Sequence, residues 1–167
     1  MATYITNLTT AQIAALSTAT ISRLTTEDWA AFSTAQIAAL TTAQAAVLSD
    51  TQAAALETTD LQALTTTSIA QLSNTLLKAL TATQIGGLNT AVSGFSTTQV
   101  RALNSTQIGA LSNDALSRLS TAQLQALSSS QVGSLSTTRI GSLATSTLNK
   151  LSTTQIGQLT EDQAHAL

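Results

Sequence analysis

A leucine or phenylalanine falls on every eighth residue from Leu8 to Leu88 and again from Phe95 to Leu167, with one step of seven between Leu88 and Phe95. All 167 residues are therefore repeat: 21 units, the first (MATYITNL) divergent, with the consensus (S/T)-T-x-Q-I-x-A-L and no intervening linker. Few folds accept a period of eight. A continuous helix advances about 100° per residue, so each unit would rotate its leucine by roughly 80° from the last and no apolar stripe would form. A half-buried strand needs alternation at period two, which is absent. Positions five and eight of the unit are both apolar and three apart, a helical spacing. Ala, Gln and Leu also favour helix over strand. A short helix that restarts in every octad satisfies all of these facts.

The restart signal is written at position one. Ser, Thr or Asn stands there in 18 of the 20 units after the first, Glu57 and Ala144 being the exceptions. Gln stands at position four in 11 of them, as in Gln12, Gln36, Gln84, Gln107 and Gln155. Ser/Thr-x-x-Gln is a capping box, in which the hydroxyl accepts from the N3 amide and the glutamine reaches back to the N-cap amide. The leucine before the cap and the Ile at position five then form a hydrophobic staple, as in Leu8 with Ile13 and Leu151 with Ile156. Charge placement agrees. All eight carboxylates lie at positions one to four, and five of the six bases (Arg23, Lys78, Arg101, Arg118, Lys150) at six or seven. Peptide dipoles favour this arrangement. Arg139, at position four, does not fit it.

A six-residue helix is not stable alone, because nucleation is costly. The units must stack, burying positions five and eight. The expected fold is all-α: a solenoid, or superhelix, of very short helices, one per eight-residue repeat, forming a single domain over 1–167. Glycines at position six (Gly86, Gly109, Gly133, Gly157) recur at 23 or 24 residues, and Gln at position four is densest in the same phase. Both suggest three repeats per coil and seven coils, a stiff rod on the order of 60 Å at the usual helix spacing. The expected core includes Ile37, Leu40, Ile85, Leu88, Ile108, Leu111, Ile140 and Leu143. The seven-residue unit 89–95 loses its capping box. Val92 and Phe95 keep the core spacing, Gly94 is placed to take a positive φ, and the unit reads as a kink in the superhelix, with a binding notch as the alternative.

No catalytic constellation emerges. Absence of Cys excludes disulfides and thiolate metal sites. A net charge of −2 argues against nucleic acid and anionic membrane as partners. No apolar run reaches the roughly 18 residues of a membrane span, and MATYITNLTT lacks the basic and apolar segments of a signal peptide. His165, the single imidazole, has neither metal co-ligands nor triad partners and reads as a surface residue. Glu27–Asp28 and Glu161–Asp162 are adjacent on helix starts, do not face one another, and read as caps; EF-hand spacing is absent. Trp29 and Phe32 replace Ile and Leu in one unit and read as core. Asn7-Leu-Thr and Asn104-Ser-Thr match the glycosylation pattern, but with 52 Ser and Thr residues such matches arise by chance. Threonines at position two would align in rows across coils. Stacked helices stand about 8–10 Å apart, which makes such rows sparse for ordering ice.

The runs LTTAQIAALST, STAQIAAL and STTQIGQL resemble the octapeptide tracts of large bacterial exported proteins, often described as haem-utilisation or adhesion exoproteins. The resemblance covers the whole chain and implies an extracellular or cell-surface stalk. One His and no Cys offer no axial pair for haem. The chain starts and ends in phase, as a segment cut from a longer array would. The expectation is a structural spacer or adhesin-like stalk segment of a surface or secreted protein. It carries no catalysis, no cofactor or metal, no nucleic acid, no membrane span and no small-molecule substrate. End-to-end self-association, or flanking repeats of the same protein, would cover its apolar ends. The alternative is a binding module that uses a regular solenoid face for a protein, a glycan or ice.

Overall fold

The structure, a computed structural model, describes residues 2–167. It is all-helical over these residues, with helices of four to six residues following one another at one per unit, from Ala2–Ile5 to Glu161–His165. Units are numbered here by the leucines that end them, so unit 2 is residues 9–16 and unit 14 is residues 104–111.

Every restart uses the same local geometry. In unit 2 the helix Thr10–Ala15 is capped by Thr9, whose backbone is extended (φ −70°, ψ 161°) and whose side chain accepts from the Gln12 amide. The preceding helix ends because the leucine at position eight also turns extended. Leu16, for example, has φ −61° and ψ 140° while its N–H still bonds the Ile13 carbonyl. Two consecutive extended residues thus separate these helices, as again at Leu24, Leu64, Leu72 and Leu111. No glycine in the left-handed region is needed. Glu57 and Ala144, the two departures at position one, contribute no side-chain cap bond.

Stacking buries the two apolar columns. Ile37, Ile85, Ile108 and Ile140 are fully buried, and Leu40, Leu88, Leu111 and Leu143 are at most 9 % exposed. Trp29 and Phe32 lie in this core with their rings stacked, centroids 4.8 Å apart. A third column is buried that the apolar pattern does not mark: position four, where Gln36, Gln44, Gln84, Gln107 and Gln155 are all buried.

The coil holds three units, as the repeat phase implies. Helices three units apart pack together, as a three-unit coil requires. Yet the long-range hydrogen bonds span 25 to 33 residues, with the most regular at 28 and 31. Each helix begins over the end of the fourth unit back and finishes over the third. The position-four side chain thus reaches past the helix stacked beneath it, three units back, to the end of the unit before that one, and the 21 units make about seven turns of 8–10 Å. The glycines at position six carry less of the pitch than their spacing suggested. Gly86 and Gly141 do permit close approach, since a Cβ there would stand 2.8 and 2.6 Å from the carbonyls of Ala110 and Ala166, but Gly133 has open space.

The short unit is absorbed differently from expectation. Its helix is a 3-10 segment, Asn89–Gly94, entered directly from the previous helix because Leu88 stays helical (φ −64°, ψ −20°). Among the described residues the positive φ falls on Asn89, at 43°, and not on Gly94. Asn tolerates that region through its short polar side chain. Gly94 is required for another reason: a Cβ there would lie 2.3 Å from the Thr66 carbonyl. Val92 and Phe95 are buried as the core spacing demands.

A glutamine clamp as the candidate functional site

The buried glutamines use both ends of the amide. In unit 5, Gln36 Oε1 accepts from the Ser33 amide at 2.8 Å, which closes the capping box. Its Nε2 donates to the carbonyls of Ile5 at 2.9 Å and Leu8 at 2.7 Å, four units back. Gln44 repeats this on Ile13 and Leu16, Gln52 on Ile21 and Leu24, Gln84 on Ala53 and Leu56. Gln131, Gln155 and Gln163 continue it. A helix of this length is mostly ends, and its last carbonyls lack intrahelical donors. The clamp supplies a donor to the orphan carbonyl at position eight and a second donor to the position-five carbonyl, which already accepts from the position-eight N–H of its own unit. One side chain thus caps the start of its own helix and the end of another.

The clamp counts units, not residues. Across the seven-residue unit, Gln99 reaches Ile69 and Leu72, and Gln107 reaches Leu77 and Leu80, at 30 and 27 residues instead of 31 and 28. Gln123 bonds Ser93 and Phe95 within that unit. The irregular unit therefore does not interrupt the register.

Where position four is not Gln, the structure shows what the slot requires. Arg139, the base that violates the dipole pattern, donates from its guanidinium to the Leu111 carbonyl 28 residues back. Its placement follows the clamp. In unit 19 the slot holds Thr147, whose buried hydroxyl has no partner. Lys150 substitutes from position seven, with Nζ 2.8 Å from the Ser117 carbonyl and 2.9 Å from that of Leu119. Ser68 is too short and reaches Leu40 only at 3.4 Å. Asp60 accepts from the Glu57 amide but has no donor for the helix four units back. Burial pushes its carboxyl above the usual range, against the opposing backbone hydrogen bond from Glu57. Asp28 differs: bonds from the Thr25 amide and hydroxyl hold its carboxyl below the usual range.

The residues weighed as chemical sites do not converge. His165, Glu27, Glu161 and Asp162 are exposed; Glu161 and Asp162 open the last helix and His165 closes it, while Glu27 lies on a distant unit. Asn104 serves as a cap, accepting from the Gln107 amide at 2.9 Å. The exposed Asp114–Arg118 pair at 3.1 Å is local to one helix, an arrangement of small energetic weight. Sequence reasoning missed the clamp, though a signal was present. Glu serves an N3 capping position as well as Gln and suits the dipole, yet position four holds Gln 11 times and Glu never. Only a residue that must also donate explains that.

Short capped helices stacked in register by a side-chain clamp define a helical repeat protein. Residues 21–58 and 53–90 match the ALTTAQ repeat family, which marks this part of the chain as a repeat-protein region. The six letters stand verbatim at Ala39–Gln44, ending on a clamp glutamine. No curated protein and no solved structure matches the chain. Among the described residues, no helix is long and apolar enough to cross a membrane.

Proposed function

We propose that the array is a structural spacer, a stalk segment of a secreted or cell-surface bacterial protein, acting through length and stiffness without catalysis. The observation that supports this is the clamp. The recurring buried polar group of the unit is used to fix one turn on the next, and little remains that would build a site. The likeness of LTTAQIAALST to octapeptide tracts of exported proteins supports the surface location.

The accessible surface of this stretch, 7833 Å², is close to the ~7,700 Å² of a compact monomer of this mass. Seven turns make a stubby rod, so the spacer reading is best tested on lengthened arrays. Inserting two further turns, about six units, should lengthen the particle by roughly 16–20 Å in small-angle scattering at unchanged cross-section. A maximum dimension that grows with the cube root of mass contradicts a spacer. Protease accessibility of the repeats on intact cells tests the location, and full protection contradicts it.

A further inference from the structure

The polar ties between turns are unevenly spread, and they run thinnest at one internal interface. Units 8–10, residues 57–80, stack on units 5–7, residues 33–56. Their position-four slots hold Asp60, Ser68 and Leu76. Among the described residues, the one side-chain bond these slots send back is that of Ser68 Oγ to the Leu40 carbonyl, at 3.4 Å. The core is thin at the same place. Position five holds Ile, Leu, Val or Trp up to unit 20 except in units 6 and 7, where it is Ala45 and Ala53. Both are buried, so the turns do meet there, but through two small side chains. On their other side units 8–10 are held closely. Gln99 and Gln107 clamp units 9 and 10 from above. Gly87 and Gly94 let the chain approach units 8 and 9, since an added Cβ would stand 1.8 Å from Thr58 Cγ2 and 2.3 Å from the Thr66 carbonyl. One glutamine bridges the thin interface. Gln84, in unit 11, reaches past unit 8 to the carbonyls of Ala53 at 3.2 Å and Leu56 at 2.9 Å, at the end of unit 7.

We infer that this interface is a parting line built into the array, with Gln84 as its latch. The turns up to Leu56 and those from Glu57 onward separate there and reclose as bodies, more readily than either side unfolds. In a linear array each turn-to-turn interface contributes its own nearest-neighbour stabilisation, and partial opening begins where that stabilisation is least. Two shortages coincide here, of donors and of core volume. Parting exposes the faces of two turns and leaves each helix with its own capping box. An array used as a stalk would therefore yield and recover at a set place; that use rests on the spacer reading, whereas the parting line itself concerns contacts between units 4 and 11 and holds whatever adjoins them.

Solvent exchange of the glutamine side-chain amides, followed by NMR in the 167-residue chain, tests this with probes already present. Gln52 ties unit 7 to unit 3, wholly below the line. Gln107 ties unit 14 to unit 10, wholly above it. Gln84 crosses it. The Gln84 Nε2 protons should exchange at least about tenfold faster than those of Gln52 and of Gln107. An Asp60→Gln, Ser68→Gln double variant sets two further donors across the line and should slow Gln84 exchange about tenfold or more, with Gln52 unchanged. Ser68→Gln alone should act in the same direction. Exchange at Gln84 no faster than at Gln107 overturns the proposal, because the array then opens as a whole. So does exchange at Gln52 as fast as at Gln84, which would mean that the lower turns unfold rather than part. A folded double variant whose Gln84 exchange matches wild type overturns it as well.

Discussion

Residues 96–135 and residues 57–80 are built from the same octad, yet they are held differently. Both bury the leucine at position eight and the aliphatic residue at position five to within a few per cent. In the first region four of five units carry a clamp: Gln99, Gln107, Gln123 and Gln131. In the second the slots hold Asp60, Ser68 and Leu76, and only Ser68 makes a long bond backward. From unit 8 to unit 12 the one glutamine clamp is that of Gln84. Leu76 fills its slot as well as a glutamine does, at 1 % exposure, but offers no side-chain donor to the Leu48 carbonyl beneath it. Apolar stacking alone is thus enough to carry the fold through a turn, and the clamp adds register and satisfied backbone where it occurs.

The largest effect should be common to both regions. Leu111→Ala in the clamped region and Leu72→Ala in the unclamped one should each cost about 2–5 kcal/mol in denaturant unfolding, because both truncate a packed core side chain. A loss below roughly half a kilocalorie at either site would mean that stacking does not rest on this column. The next effect should separate capping from clamping. Gln107→Glu retains the cap acceptor but sets a carboxylate against the Leu77 and Leu80 carbonyls, and should cost about 1–3 kcal/mol or more. Gln12→Glu makes the same change at an exposed glutamine whose Oε1 caps Thr9 and whose Nε2 bonds no carbonyl, and should be close to neutral in this chain. Equal losses would show that position four acts only as a cap. Ser120→Ala should cost about 0.5–2 kcal/mol, since Ser120 Oγ accepts from the Gln123 amide at 3.2 Å.

The smallest effect is a gain. Asp60→Gln offers a donor to the carbonyls of Trp29 and Phe32, which the register places under that slot, and should stabilise the chain by about 1 kcal/mol. Its pH dependence has a definite sign. The Asp60 carboxyl is raised in the fold, so its ionised form is penalised above the folded value. That penalty is relieved as pH falls through it. The advantage of Asp60→Gln should therefore shrink on acidification. Asp28 works the other way: its lowered carboxyl contributes stability that is present above the unfolded value and lost as pH falls through the folded one. Thermal melts of both chains between neutral and acid pH would show the two trends. An advantage for Asp60→Gln that grows toward acid pH contradicts this assignment.

Much of this was legible in the octad. Thr9 and Gln12 announce a capping box, and the spacing of Ile13 and Leu16 announces a helix packed on one side. These are local rules acting within a few residues. The three-unit pitch was legible in the phase of the position-six glycines, but how far each helix start reaches back across the turn below was not, because that is set by the backbone angles at the junctions. The clamp depends on that reach, so the partners of Gln107, 27 and 30 residues away, could not be read from spacing. Arg139 and Lys150 looked like an exception and a dipole-favoured base. Both become intelligible only once the turn below them is known. Gly94 shows the same limit: the sequence marks a special position, but the reason is the Thr66 carbonyl of another turn.

The clamp is tested most directly by nuclear Overhauser contacts and exchange rates of the glutamine side-chain amides. The Gln107 Nε2 protons should show cross-peaks to Leu77 and Leu80, four units back, and should exchange with solvent far more slowly than those of the exposed Gln12. Cross-peaks confined to residues about 24 positions away, or Gln107 protons that exchange as fast as those of Gln12, would contradict a clamp between turns.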